Sequence, residues 1–489
     1  MNIIKKYKSM SIQVRAALWY TICNFLQNGL AFLMVPVYLY FLSKAEYGRW
    51  VTFQSWKDIL IIFASLNLYC GVFTKTLVDI KGSKDRYTSA MQGLGTTTTF
   101  VLFLIFIVFR NSVEKLMGYN TLSMLLLFAF FLVYPSLQFW LTRQRVEYKY
   151  KTMVLVTILI SIFTPALSVS LVVLTDLKAY AIIYGYLISQ ITVGLFFYIY
   201  YFVVGRTFYD KEYWSYALKF NMPLIPHYLS LIVLGQSDRI MIQKFCGDAD
   251  AGVYGFGYQI ASVMTVLVGS INGARVPWTY EKLRDKLYKD LHQVAIYLCI
   301  LIGSITMLLS LLSPEIVRIF TIFGNKYKDY ELAIYIIPVV ALGLYFTFVY
   351  DLFCSIEFYY GKTKYIMVAS CVGAIMNIIL NAIFIPMVGL IAAAYTTLFC
   401  YIFFMFMHFV FMRKVCKDED IKEPVYNYKW IFLMSFIVFV ATLLSLFTLK
   451  IDIVRYLLLV VLLIVGFVKR NDIINLFSSM KENKGKVND

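Results

Sequence analysis

Two adjacent pairs of opposite charge, Lys57 with Asp58 and Asp238 with Arg239, interrupt stretches that are otherwise apolar, and Arg275, Asp351 and Arg455 do so singly. A charge at the centre of a membrane helix costs about 2.5–3.5 kcal/mol on insertion scales, so each of these residues needs a partner or a wet cavity. The cations suit an anionic headgroup, because a guanidinium holds phosphate oxygens bidentately and an ammonium is a compact charge. On that reading Lys57 and Arg239, with Arg49 and Arg275 above and below, line a cationic cavity for a diphosphate. The competing reading pairs Lys57 and Arg239 with neighbouring acids, or lets Arg239 cap its own helix. It also has Arg275 and Arg455, near span ends, reach out to the membrane surface. Asp58, Asp238 and Asp351 are the candidates for binding a coupling H+ or Na+. Asp351, the sole acid of its span, can instead pair with a loop residue such as Lys362.

The elements that must position these residues follow from composition. Of 489 residues, 61% are apolar and 15% charged, against roughly half and a quarter in soluble domains. Length would allow about three domains, and each would still have to coat itself with polar side chains. An integral membrane protein is the class that remains. Long uninterrupted apolar runs exclude an outer-membrane barrel, whose strands alternate. A bilayer core needs roughly 20 helical residues per crossing, which gives about fourteen spans: 17–42, 51–73, 89–109, 121–142, 153–174, 180–204, 220–243, 252–276, 291–312, 332–356, 365–386, 388–412, 430–449 and 453–468. The last is short and carries Arg455. Pro36, Pro135, Pro165, Pro223 and Pro226 fall inside spans and offer kinks for hinging.

Lys and Arg resist translocation, so they mark the cytoplasmic side. With the N-terminus inside, that side gathers Lys5, Lys6, Lys8 and Arg15, then Arg143, Arg145, Lys149 and Lys151, then the basic tail past 468. Both termini are expected in the cytoplasm. These loop charges account for the net +17 without a nucleic-acid partner. The first apolar run is too long for a cleaved signal peptide and is expected to stay as an anchor. Gly361-Lys362-Thr363 resembles the tail of a phosphate loop, but Ile356 stands where the first Gly is required. The 8 Cys form no CxxC and the 3 His lie far apart, so no metal site is expected. Loops are too short for the extramembrane site of a membrane enzyme.

Phe41 to Gly48 (FLSKAEYG) and Phe245 to Gly252 (FCGDADAG) share a Phe, an Ala, an acid and a Gly in register after the first and seventh spans, as a parallel duplication of six spans would leave them. Together with Pro223 to Gly255 (PLIPHYLSLIVLGQSDRIMIQKFCGDADAGVYG) and Gly361 to Thr397, which contains Asn377, Asn381, Pro386 and Gly389, the chain resembles the polysaccharide flippases of the multidrug/oligosaccharidyl-lipid/polysaccharide exporter superfamily. That resemblance implies an all-α polytopic membrane protein of two six-helix lobes, 17–204 and 220–412, around a central cavity. A cytoplasmic linker, 205–219, would join them, and two further helices, 430–468, would follow a cytoplasmic loop, 413–429. It also implies alternating-access transfer of undecaprenyl-diphosphate-linked oligosaccharide to the outer leaflet of a bacterial inner membrane, without catalysis or cofactor. The polymerase and chain-length proteins of a surface-polysaccharide pathway such as O-antigen or capsule would be partners. The rivals are a multidrug or small-molecule antiporter of the same fold and a membrane-bound glycan polymerase or acyltransferase.

Asn24, Gln27 and Asn28, at i, i+3 and i+4, give the first span a polar face expected to turn inward. It could meet sugar hydroxyls or bond to a neighbouring helix, and Asn377 with Asn381 permits the same two readings. Abundant Tyr and Phe, with Trp50, Trp278 and Trp430 near span ends, read as an aromatic belt.

Overall fold

The structure, a computed structural model, describes residue 7, residues 11–79 and residues 82–468. The expected basic cluster at Lys5, Lys6 and Lys8 and the tail past 468 lie outside the described residues. Among them there is no strand. The helices in order are α1 (Ile12–Phe41), α2 (Lys44–Ser65), α3 (Val72–Asp79), α4 (Lys84–Val108), α5 (Arg110–Met117), α6 (Thr121–Val146), α7 (Tyr150–Leu174), α8 (Ala179–Gly205), α9 (Lys211–Asn221) and α10 (Ile225–Cys246). They continue as α11 (Asp248–Ala261), α12 (Val263–Arg284), α13 (Tyr288–Leu311), α14 (Ser313–Thr321), α15 (Tyr327–Tyr330), α16 (Ala333–Tyr359), α17 (Thr363–Val388), α18 (Leu390–Asp418), α19 (Tyr428–Thr448) and α20 (Asp452–Val468).

Twelve helical stretches among the described residues are long and apolar enough to cross a membrane. They coincide with twelve of the expected spans, and the stretches at 51–73 and 453–468 differ from the rest in length and polarity. The stretch expected at 51–73 is broken. A capping box, in which Ser43 accepts from the Glu46 amide and the Glu46 carboxylate accepts from the Ser43 amide at 2.7 Å, starts α2 at Lys44. The helix stops at Ser65, where Leu66 takes a left-handed backbone. Lys44, Glu46, Arg49, Lys57 and Asp58 give α2 a polar load that no other described helix carries. The helix α20 is described over 17 residues, at the lower limit for a crossing. Pro36, Pro135 and Pro165 lie inside helices as expected, whereas Pro223 sits in the 3-10 turn Met222–Leu224 that separates α9 from α10.

The chain folds as two compact units, Met1–Ile240 and Met241–Asp489. In the first, α8 is the central helix and packs against α6, α7, α4 and α2. Small residues let it approach closely: a Cβ on Gly185 would fall 2.5 Å from the Cα of Ser168 on α7. In the second, α16 is central, buried along nearly its whole length and packed against α18, α11, α13 and α19.

Arg455 does not reach to the surface as the sequence reading allows. It is fully buried, donates to the Leu311 carbonyl at 3.1 Å and to Asp452 at 2.5 Å, and makes an ion pair with Glu315 of α14. A guanidinium that lies between α13 and α20 has no route to water, so the chain supplies two carboxylates instead. Burial pushes the Glu315 carboxyl up, but hydrogen bonds from Arg455 and Tyr456 outweigh it and hold the group below the usual range. A lowered folded value means stability present above the unfolded carboxyl value and lost as pH falls through the folded one. Glu315→Gln should therefore lower stability at pH 7 by about 1.5–3 kcal/mol, the scale of a hydrogen bond to a charged group. Thermal unfolding in detergent should show that deficit shrink as pH falls past the ordinary carboxyl value and vanish below the lowered folded one.

Candidate functional site

In the first unit the helix α2 presents Lys57 and Asp58 to a polar cluster completed from α8 and α10. Lys57 pairs with Asp58 at 2.8 Å, donates to the Tyr186 hydroxyl at 3.2 Å and stands over the Tyr186 ring, 5.2 Å from its centroid. The Phe130 ring lies 5.9 Å away. An ammonium over two aromatic faces gains further stabilisation in a site with little water. Trp50 completes the wall: it is buried and meets Tyr186 edge-on at 5.6 Å. An aromatic belt therefore does not explain Trp50, nor buried Trp278, whereas Trp430 is exposed as a belt residue should be.

Gln236 joins the two charged pairs. Its amide nitrogen donates to Asp58 at 3.2 Å, and its carbonyl accepts from Ser55 at 3.0 Å and from Arg239. Arg239 also donates to the Gly235 carbonyl at 3.1 Å, one turn earlier on its own helix. Lys57, Asp58, Gln236 and Arg239 thus form one chain of polar contacts across α2 and α10, and Asp238 beside them is fully buried. The sequence reading missed Gln236. Its signal was an amide three residues before Arg239 in an apolar run.

Arg49 is exposed on α2, where its backbone carbonyl accepts from Tyr119 at 2.8 Å. Asn24, Gln27 and Asn28 are exposed on α1, and Asn28 donates back to the Asn24 carbonyl at 2.8 Å. That face is open within its unit, not buried against a neighbouring helix. Asn377 and Asn381 do the opposite. Both are buried, Asn377 donates to Thr397 of α18 at 3.0 Å and Asn381 to Asn377 at 3.2 Å, so they stitch α17 to α18.

Arg275 belongs to the second unit. It is buried, not extended to the surface, and donates to Asn272 at 3.0 Å, to the Asp351 carbonyl at 3.3 Å and to Ser355 at 3.1 Å. Asp351 accepts from Asn272 at 2.8 Å. Lys362 pairs with Glu419 at 3.0 Å, which corrects its expected role as the partner of Asp351. The helix α16 runs three residues past the expected span end at 356, and that overrun hides Glu357, which is completely buried and bonds to His408 of α18 at 2.8 Å. The sequence-predicted site residues therefore fall into separate groups, with Lys57, Asp58 and Arg239 in the first unit and Arg275 and Asp351 in the second.

The described residues form an all-helical fold with twelve helical stretches long and apolar enough to cross a membrane. The description "Polysaccharide biosynthesis protein" matches residues 14–282, and the MatE family matches residues 223–383. The chain belongs to the polysaccharide biosynthesis protein family, within the multidrug/oligosaccharidyl-lipid/polysaccharide exporter superfamily. A protein of the Lsg locus of Haemophilus influenzae is 31% identical over 39% of this chain and 48% of its own, so the match spans about half of that relative. An uncharacterized membrane protein of the same organism is 28% identical over 74% of this chain and 89% of its own. Among solved structures, the lipid II flippase MurJ in an inward closed conformation aligns at TM-score 0.62, with 17% identity over 94% of this chain and 100% of that one. An inward-facing multidrug resistance MATE transporter aligns at the same TM-score, with 12% identity over 83% and 100%.

Removing the Gln236 bridge should be felt as unsatisfied buried polarity. Gln236→Leu should cost about 1–3 kcal/mol, read as a lower midpoint in thermal unfolding of the detergent-solubilised protein; an unchanged midpoint would mean the bridge does not form.

Proposed function

We propose that this chain is a non-catalytic flippase that moves an undecaprenyl-diphosphate-linked oligosaccharide across a bacterial inner membrane by alternating access, with both termini in the cytoplasm. The observation that carries the reading is the cluster on α2 and α10. Lys57 pairs with Asp58, and Arg239 donates to Gln236, which in turn donates to Asp58, so two cations from α2 and α10 stand in one polar cluster of an apolar unit. A diphosphate would bring charge-assisted hydrogen bonds to both cations. Arg49 offers an exposed charge on the same helix as Lys57, and the open Asn24 and Asn28 face suits hydroxyl groups. The family match and the fold shared with a lipid II flippase support a lipid-linked substrate. Polymerase and chain-length proteins of the same surface-polysaccharide pathway would take up the product.

Arg275 is assigned to substrate binding only through its own unit, where Asp351, Asn272 and Ser355 surround it. Of the acids, Asp351 is the strongest candidate for binding a coupling H+ or Na+, since its carboxylate accepts from the neutral amide of Asn272; Asp58 and Asp238 are the others. The MatE match over 223–383 favours one second reading, an ion-coupled exporter of small molecules.

Lys57→Met and Arg239→Met should each abolish display of the glycan at the cell surface while membrane levels of the protein hold. Unchanged display in both would rule out the cationic site. Asp351→Asn keeps an acceptor for Asn272, so it should fold, and transport that no longer responds to external pH identifies Asp351 as the coupling group. An unaltered pH response removes it from that role.

A further inference from the structure

The second unit contains a cluster that the transport reading does not use. Cys354 and Glu357, one helical turn apart on α16, face His408 on α18, and one ligand atom from each lies within 4.8 Å of the others. Glu357 and His408 are completely buried and Cys354 is 4% exposed. The His408 ring is held between two aromatics: Tyr350 stacks on it at 5.3 Å and Phe404 meets it edge-on at 4.7 Å. Its Nδ1 and Glu357 Oε1 are 2.8 Å apart. That contact leaves Glu357 Oε2 and His408 Nε2 buried with no hydrogen-bond partner among the described residues. One orphaned buried polar atom costs about 1–3 kcal/mol, and two of them in one cluster point to something the side chains alone do not supply.

We propose that Cys354, Glu357 and His408 bind a divalent transition-metal ion of the zinc class. The donor set is one thiolate, one carboxylate and one imidazole, the mixture of soft and borderline donors that selects such ions over Mg2+ or Ca2+. Charge supports it too. A thiolate and a carboxylate neutralise a doubly charged ion, so the occupied site carries no net charge into the apolar interior. Two donors one turn apart on one helix with a third from the facing helix is an arrangement that helical bundles use to hold metal ions. Bonds of about 2.0–2.3 Å need the three side chains to draw together slightly. The thiol proton leaves for solvent as the ion binds. An ion here would pin α16 to α18 at the level of Asp351 and Arg275, and so would brace the cluster on which ion coupling is proposed.

The test uses the full-length protein in detergent, purified on a tag without histidine, stripped with chelator, exposed to zinc chloride and desalted. Metal analysis should find a single zinc ion per chain, retained by His292→Gln and lost in both Cys354→Ser and His408→Gln. If those variants do not elute as monodisperse protein, Co2+ loaded into the unaltered chain provides the readout, through a thiolate-to-cobalt absorption band. Zinc retained equally by His408→Gln, zinc that follows His292, or Co2+ spectra without thiolate ligation would overturn the proposal and leave a plain buried His–Glu pair.

Discussion

The cost of placing charge in hydrocarbon organises this molecule. Each ionised group buried among the helices must find a compensating group, and the helices are arranged so that it does. Arg455 recruits two carboxylates, Arg275 three neutral acceptors, and Lys57 a carboxylate with two aromatic faces. Arg455 is closed by full charges and acts as a structural tie, whereas Lys57 pairs with Asp58 and is linked to Arg239 through Gln236.

The two units use the same building rule on different material. Each wraps helices around one central helix, α8 or α16. In the first unit the cluster sets Lys57 and Arg239 beside Asp58 and Asp238 and is lined with aromatic rings. In the second it sets Arg275 beside Asp351, Asn272 and Ser355, with the Cys354, Glu357 and His408 group one turn further along α16.

Much of the architecture was legible from the residues, because a bilayer turns apolar length into a structural unit. Twelve spans stand out this way, and the two that stand out less are those where length and polarity conflict: α2, with its five charged side chains, and α20, described over 17 residues. The resemblance to polysaccharide flippases was carried by pattern, and the family match bears it out. The site was legible only in part. Charges stand out in apolar sequence, but their partners lie far along the chain; Ser55 and Gln236 are 181 residues apart. Glu357 escaped because the helix overruns the span, and nothing in the sequence joins it to His408. Snorkelling was the wrong expectation for Arg275 and Arg455, since proximity to a span end says nothing of the helices that cover it.

The central claim is that the Lys57 and Arg239 cluster accepts a lipid diphosphate. Its most direct test is transbilayer movement in proteoliposomes that contain only this protein and a fluorescent undecaprenyl-diphosphate oligosaccharide, followed by a quencher confined to the outside. The account predicts protein-dependent loss of the protected fraction, competed by undecaprenyl diphosphate and absent from a Lys57→Met, Arg239→Met double variant. Equal movement by the double variant, or no acceleration by the unaltered protein under any ion gradient, would contradict it.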